Sequence, residues 1–103
     1  MDQSPRLSLQ SILETILGSS NVYFQPPATV KFAYPCIVYR RNDIDTAFAD
    51  DVPYAINKQY QVTVIDPNPD SSIPDEVGKM SQCLFDRHFT ADNLNHDVYN
   101  LYY

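Results

Sequence analysis

The amino-acid sequence predicts an α+β fold: a two-layer sandwich in which a mainly antiparallel sheet of four to five strands carries two helices on one face and a long β-hairpin tongue. Three observations predict it. Apolar residues recur at three-and-four spacing near the N-terminus, and two apolar segments, 35–42 and 58–66, bracket an Asp-studded stretch. A second helical pattern then leads into a closing pair of strand-like segments.

Leu9, Ile12, Leu13, Ile16 and Leu17 share one face of the first helix. Ser4 before Pro5 reads as N-cap and N1, with Ser8 able to cap a shorter version, and Gly18 supplies the stop. Gln10, Ser11, Glu14 and Thr15 form a polar face short of charge, which suits partial cover by a neighbouring subunit. Residues 21–25 make a short strand ended by Pro26-Pro27, because two missing N–H groups break a ladder. In segment 35–42, Cys36, Val38 and Arg40 alternate with Ile37, Tyr39 and Arg41, so both faces begin apolar and end basic, as in a central strand whose far end emerges. In segment 58–66, Tyr60, Val62 and Val64 point inward, and Gln59, Gln61 and Thr63 point outward. Asp66–Ser72 has turn chemistry. Ser72 with Asp75 resembles a capping box opening a second helix, whose face holds Ile73, Val77, Met80 and Leu84. Gly78 inside that helix costs about 1 kcal/mol relative to Ala, so something packs closely against it. Segments 86–92 and 97–103 then pair across a turn at 92–96.

At 103 residues the chain is one domain, 1–103, without repeat or linker, burying about 65 % of its unfolded surface. Eight Tyr and five Phe suit half-buried sheets and protein interfaces. A net charge of −6, with 7 basic against 13 acidic residues, makes a free-standing nucleic-acid binder a poor fit. Cys36 and Cys83 lack metal or redox spacing and read as reduced, largely buried thiols of a cytosolic protein. No signal peptide or membrane-spanning stretch is expected.

The tongue carries Asp43, Asp45, Asp50 and Asp51. Counted from Asp43, an EF-hand loop would need a ligand, Gly and Glu where Ala47, Phe48 and Tyr54 stand, so no calcium motif exists. Phe48 between the Asp pairs reads either as a partner anchor or as a side chain folded back on the sheet. His88 and His96 are the only histidines, and no nucleophile, phosphate-cradle or metalloprotease motif accompanies them. No catalytic, cofactor or metal residue is therefore expected, and the chain is not read as an enzyme. The candidate partner-facing set is Asp43, Asp45, Phe48, Asp50, Asp51 and Tyr54. The candidate subunit-facing set is Arg40, Arg41, Tyr99, Leu101 and Tyr103. The second set rests on segment 98–103, read as an uncovered, aromatic sheet edge that a neighbour in a ring would cover. On that reading, Leu101→Asp should give a soluble monomer.

The helix, the Tyr34-Pro35-Cys36-Ile37-Val38-Tyr39 strand, the segment Asp51–Val64, the Asp66–Asp70 turn, the second helix and the Phe85–Asp97 closing segment form an ordered set. In that order the chain resembles the small tail-completion, or tail-terminator, proteins of long-tailed bacteriophages. The resemblance implies an α+β subunit in a self-assembled ring, usually a hexamer. Such a ring caps the tail tube, stops its growth and joins it to the head–tail connector. It also implies a virion tail or neck location after assembly in the host cytoplasm, with DNA passing through the lumen without specific binding, no membrane and no cofactor. The alternatives are a head-side connector or stopper of the neck, and a small cytosolic docking module unrelated to virions.

Overall fold

The computed structural model describes residues 5–49, 52–80 and 82–103. Helix α1 (Pro5–Leu17) and helix α2 (Ile73–Gly78) lie with the strands β1 (Val22–Phe24), β2 (Cys36–Ala49), β3 (Val52–Asp66), β4 (Cys83–Ala91) and β5 (Leu94–Tyr102). The five strands form one mixed sheet in the order β1-β2-β3-β5-β4. Only β1 runs parallel to its neighbour, with Val22 opposite Ile37 and Phe24 opposite Tyr39; all other pairs are antiparallel.

The α+β sandwich is the fold the periodicities predict. Ile37 faces Val64 and Tyr39 faces Val62 on β2 and β3, while Tyr99 faces Val62 and Leu101 faces Tyr60 on β3 and β5. These side chains share one face of the pleat and form the core with Leu9 and Leu13 of α1 and Val77 of α2. Both helices thus cover the same face. The opposite face is also partly closed: Cys36, Ile65 and Val98 are buried there. Phe32, in the connection between β1 and β2, packs on Tyr23 with ring centres 4.9 Å apart.

Within α1, Leu9 and Leu13 are fully buried and Ile16 and Leu17 pack at the margin. Gly18 ends the helix at φ +80°, a conformation that a Cβ disfavours. Ile12, expected on the inner face, is exposed instead, and Gln10, expected on the outer one, turns to the sheet. The buried Tyr39 hydroxyl explains this. Removed from water, it needs a partner, and it donates to Gln10 Oε1, whose amide in turn donates to the Val22 carbonyl at 3.0 Å. The helix rolls to deliver that amide. Ser4, the expected N-cap, lies outside the described residues.

Three further expectations are corrected, whereas the tongue is the long β-hairpin the fold class predicts: β2 and β3 run on past residues 42 and 58 as one ladder, paired from Asp43 opposite Gln59 to Ala49 opposite Val52. Irregularities between Arg41 and Asp43 and between Asp45 and Thr46 interrupt the register. The capping box does not form. Ser72 is αR and makes no side-chain cap, and Ser71 Oγ accepts from the Ile73 N–H at 3.2 Å instead. The second helix stops at Gly78, so Leu84 stands on β4, exposed, while Ile73, Val77 and Met80 keep the inner face. The closing turn contracts to Asp92-Asn93, at φ 52° and 63°, with Ala91 opposite Leu94. Gly78 meets the close packing expected of it: the Tyr99 ring lies against it, Cε2 3.5 Å from where a Cβ would stand.

Candidate interaction surfaces

The largest correction concerns the sheet edge. Segment 98–103 is not an edge at all: β5 lies between β3 and β4, and Leu101 is 0 % exposed, with Val98 and Tyr99 also buried. Tyr99 donates its hydroxyl to the Pro74 carbonyl at 2.9 Å and holds α2 to the sheet. Tyr99 and Leu101 are therefore core residues with no surface to offer a neighbour. Of Tyr99, Leu101 and Tyr103, the members of the subunit-facing set drawn from this segment, only Tyr103 is exposed, tied back by its N–H to the Lys58 carbonyl at 3.0 Å.

The true edge is β4. Leu84 and Phe85 are 64 % and 58 % exposed and Phe89 is 41 % exposed, which places three large apolar side chains along one open strand. Phe85 touches Tyr99 edge-on at 5.5 Å, and Phe89 stacks on His96 at 4.5 Å. Asp86 and Arg87 pair at 2.8 Å, beside an irregularity in the ladder between Phe85 and Arg87. A signal for this assignment was present in the sequence. The consecutive charges Asp86, Arg87 and His88 mark the outer strand of the hairpin, while Val98, Tyr99 and Leu101 mark the inner one.

Arg40 and Arg41 are both exposed where β2 leaves the sheet. Arg40 Nε donates to Gln61 Oε1 at 3.0 Å, and the Arg41 backbone N–H donates to Gln25 Oε1 at 3.2 Å. Beyond them, among the described residues, the β2–β3 ribbon has no third strand: β1 pairs only up to Tyr39, and β5 pairs only from Gln59 onward. A ribbon of this length adds about 20 Å, in keeping with a molecule of 51 × 29 × 26 Å. Asp43, Asp45 and Phe48 stand on its first strand and Tyr54 on its second, Tyr54 opposite Ala47. Asp50 and Asp51 fall outside the described residues.

A third outward surface is the far side of α1. Leu7 and Ile12 are exposed there, beside an open apolar depression of about 260 Å³ lined by Ser11, Ile12, Thr15 and Ile16.

The titratable groups are arranged for structure. His88 Nδ1 lies 2.8 Å from Asp97 Oδ1 across the open β4–β5 surface, a pair that sequence reasoning missed. His96 Nδ1 contacts the Leu94 carbonyl at 3.1 Å. Both cysteines are free thiols; burial pushes Cys36 up to about 11 and raises Cys83 as well. Burial, with Asp97 nearby, pushes Tyr99 up to about 12. Among the described residues no cluster of three His, Cys, Asp or Glu is placed to hold a metal ion. Among the same residues no helix is long and apolar enough to cross a membrane.

No family model matches the chain, and no curated protein and no solved structure matches it.

Proposed function

We propose that this chain is a structural, non-catalytic component of a phage tail or neck. It assembles as a ring that caps the tail tube, ends its polymerisation and meets the head–tail connector. The observation that carries this reading is the ribbon. A domain of this size that extends two paired strands well past its own sheet commits backbone to contacts it cannot make alone, since a two-stranded ribbon is marginal in water. Its outer edges offer unpaired N–H and C=O groups to a neighbouring subunit or to the tube. Asp43 and Asp45 on the ribbon and a net charge of −6 suit a lumen through which DNA phosphate slides without sticking. The ordered resemblance to tail-completion proteins supplies the particular assembly, and the virion is the location that goes with it.

The test is loss of the gene product. Particles made without this chain should carry tails of irregular, excessive length and unjoined heads, and adding the purified protein should restore uniform tails. Tails of normal length in its absence would overturn the capping role. Imaging the labelled protein on purified tails should place it at the head-proximal end.

A further inference from the structure

We propose that β4 is a contact edge for a second copy of this chain: two β4 strands pair antiparallel about a two-fold axis, with Asp86 of each copy opposite Arg87 of the other. The inference goes beyond the capping role, because a two-fold contact closes at two copies and does not by itself generate a ring.

The occupant follows from the pattern along the strand. In an antiparallel pair whose two-fold axis runs through the sheet, residues directly opposite one another must lie on the same face. Phe85 stands opposite Tyr99 and His88 opposite Asp97, both on the helix-covered face; Leu84 stands opposite Asn100 and Phe89 opposite His96, both on the other. In a regular strand Leu84 and Phe89, five positions apart, would lie on opposite faces. The irregularity between Phe85 and Arg87 inserts Asp86 as an extra residue and returns them to one face.

That shift makes the pairing centred between Asp86 and Arg87 face-consistent. It sets Leu84 against Phe89 and Phe85 against His88 across the interface, each twice, and covers the three large apolar groups that β4 exposes. It also sets Asp86 against Arg87 twice. The two neighbouring registers fail on both counts: centring on residue 86 faces Asp86 with itself, centring on 87 faces Arg87 with itself, and each mismatches the faces. Opposite charges directly across strands favour a pair and like charges oppose it. The sheet then runs unbroken through both copies.

Sedimentation equilibrium on the full chain over a concentration series tests this. The parent protein should dimerise. Asp86→Arg and Arg87→Asp should each weaken the dimer about tenfold or more, by placing like charges across the axis. Mixing the two variants should restore association as a heterodimer, since every facing pair is then opposite in sign, and the double variant D86R/R87D should dimerise like the parent. Because both residues are at the surface, urea midpoints unchanged at concentrations too low for the parent to dimerise will show that the variants fold. A register check comes from Thr90→Cys, which faces Cys83 of the other copy and should give an intermolecular disulfide with diamide. The inference is overturned by a parent chain that stays monomeric, by variants that associate as well as the parent, or by a mixture that remains monomeric. An oligomer larger than two that survives both substitutions would place self-association on another surface, overturning the β4 contact while leaving the ring reading standing.

Discussion

Three side chains carry more of this fold than their chemistry suggests. Leu101, Tyr99 and Gln10 each join a helix or hairpin to the sheet: Leu101 by burial, Tyr99 through its ring on Gly78 and its bond to Pro74, Gln10 by satisfying Tyr39. Leu101→Asp should therefore unfold the protein rather than release a monomer. A carboxylate without a partner in a fully buried site costs about 3 kcal/mol or more, and a urea titration should show the lost transition. A folded, soluble Leu101→Asp protein would contradict the placement of β5. The buried ionisable groups give a pH dependence of definite sign. Cys36 and Tyr99 are raised in the fold, from 9.0 to about 11 and from 10.0 to about 12. Their stabilisation is complete below the unfolded values and is lost as the unfolded chain sheds protons that the folded chain keeps. The urea midpoint should stay level to about pH 9 and fall between pH 9 and 12. A midpoint unchanged through pH 11 would mean that these groups are wetter than their surroundings imply.

Among the elements, the β2–β3 pair is the one with two natures. Its lower half, from Cys36 opposite Ile65 to Arg41 opposite Tyr60, is sandwiched between β1 and β5 and roofed by α1. Its upper half, from Asp45 opposite Asn57 outward, is paired only with itself among the described residues. Ladder bonds flanked by solvent on both edges open at low cost, whereas those inside the sheet open only with the whole fold. In the isolated protein, hydrogen exchange at 43–49 and 52–57 should be fast, and at 37–41 and 60–65 slow. If the chain assembles as proposed, the ribbon amides should become protected in the particle. Equal protection in both states would remove the ribbon as the assembly contact. The sequence made the ribbon legible as a long hairpin tongue but not its register or the extent of its strands. Its residues alternate poorly, and the pairing is imposed by the register already set below it. The capping box failed for a related reason: with Tyr99 anchoring Pro74, the turn presents Ser71, not Ser72, to the first free N–H.

For the whole molecule, the core lies where the helices cover the sheet, and the β2–β3 ribbon, which carries Asp43 and Asp45, extends beyond it. If the ribbon acids line a channel, their mutual repulsion opposes assembly slightly and their role is in DNA passage. Replacing Asp43, Asp45, Asp50 and Asp51 together by Asn should leave particles that assemble normally but retain or eject DNA abnormally. Particles that fail to assemble would make these acids subunit contacts, and full infectivity would make them plain solvated surface.

What the sequence alone determined is the set of elements and the inward side of most of them. The 3.6 and 2 periodicities of Leu9–Leu17 and Tyr60–Val64 report burial directly, because each is the geometric repeat of the element that displays it. What only the tertiary structure decided is adjacency. A closing hairpin can dock with either strand inward, and its local pattern is the same both ways. The choice falls to long-range contacts, here Tyr99 and Leu101 against Val62 and Tyr60. That choice buried the strand first read as an edge and exposed β4 in its place. The roll of α1 is likewise set by a long-range contact, the Tyr39 hydroxyl donating to Gln10; that buried hydroxyl outweighed the exposure of Ile12 because an unsatisfied polar group costs more than an uncovered side chain recovers.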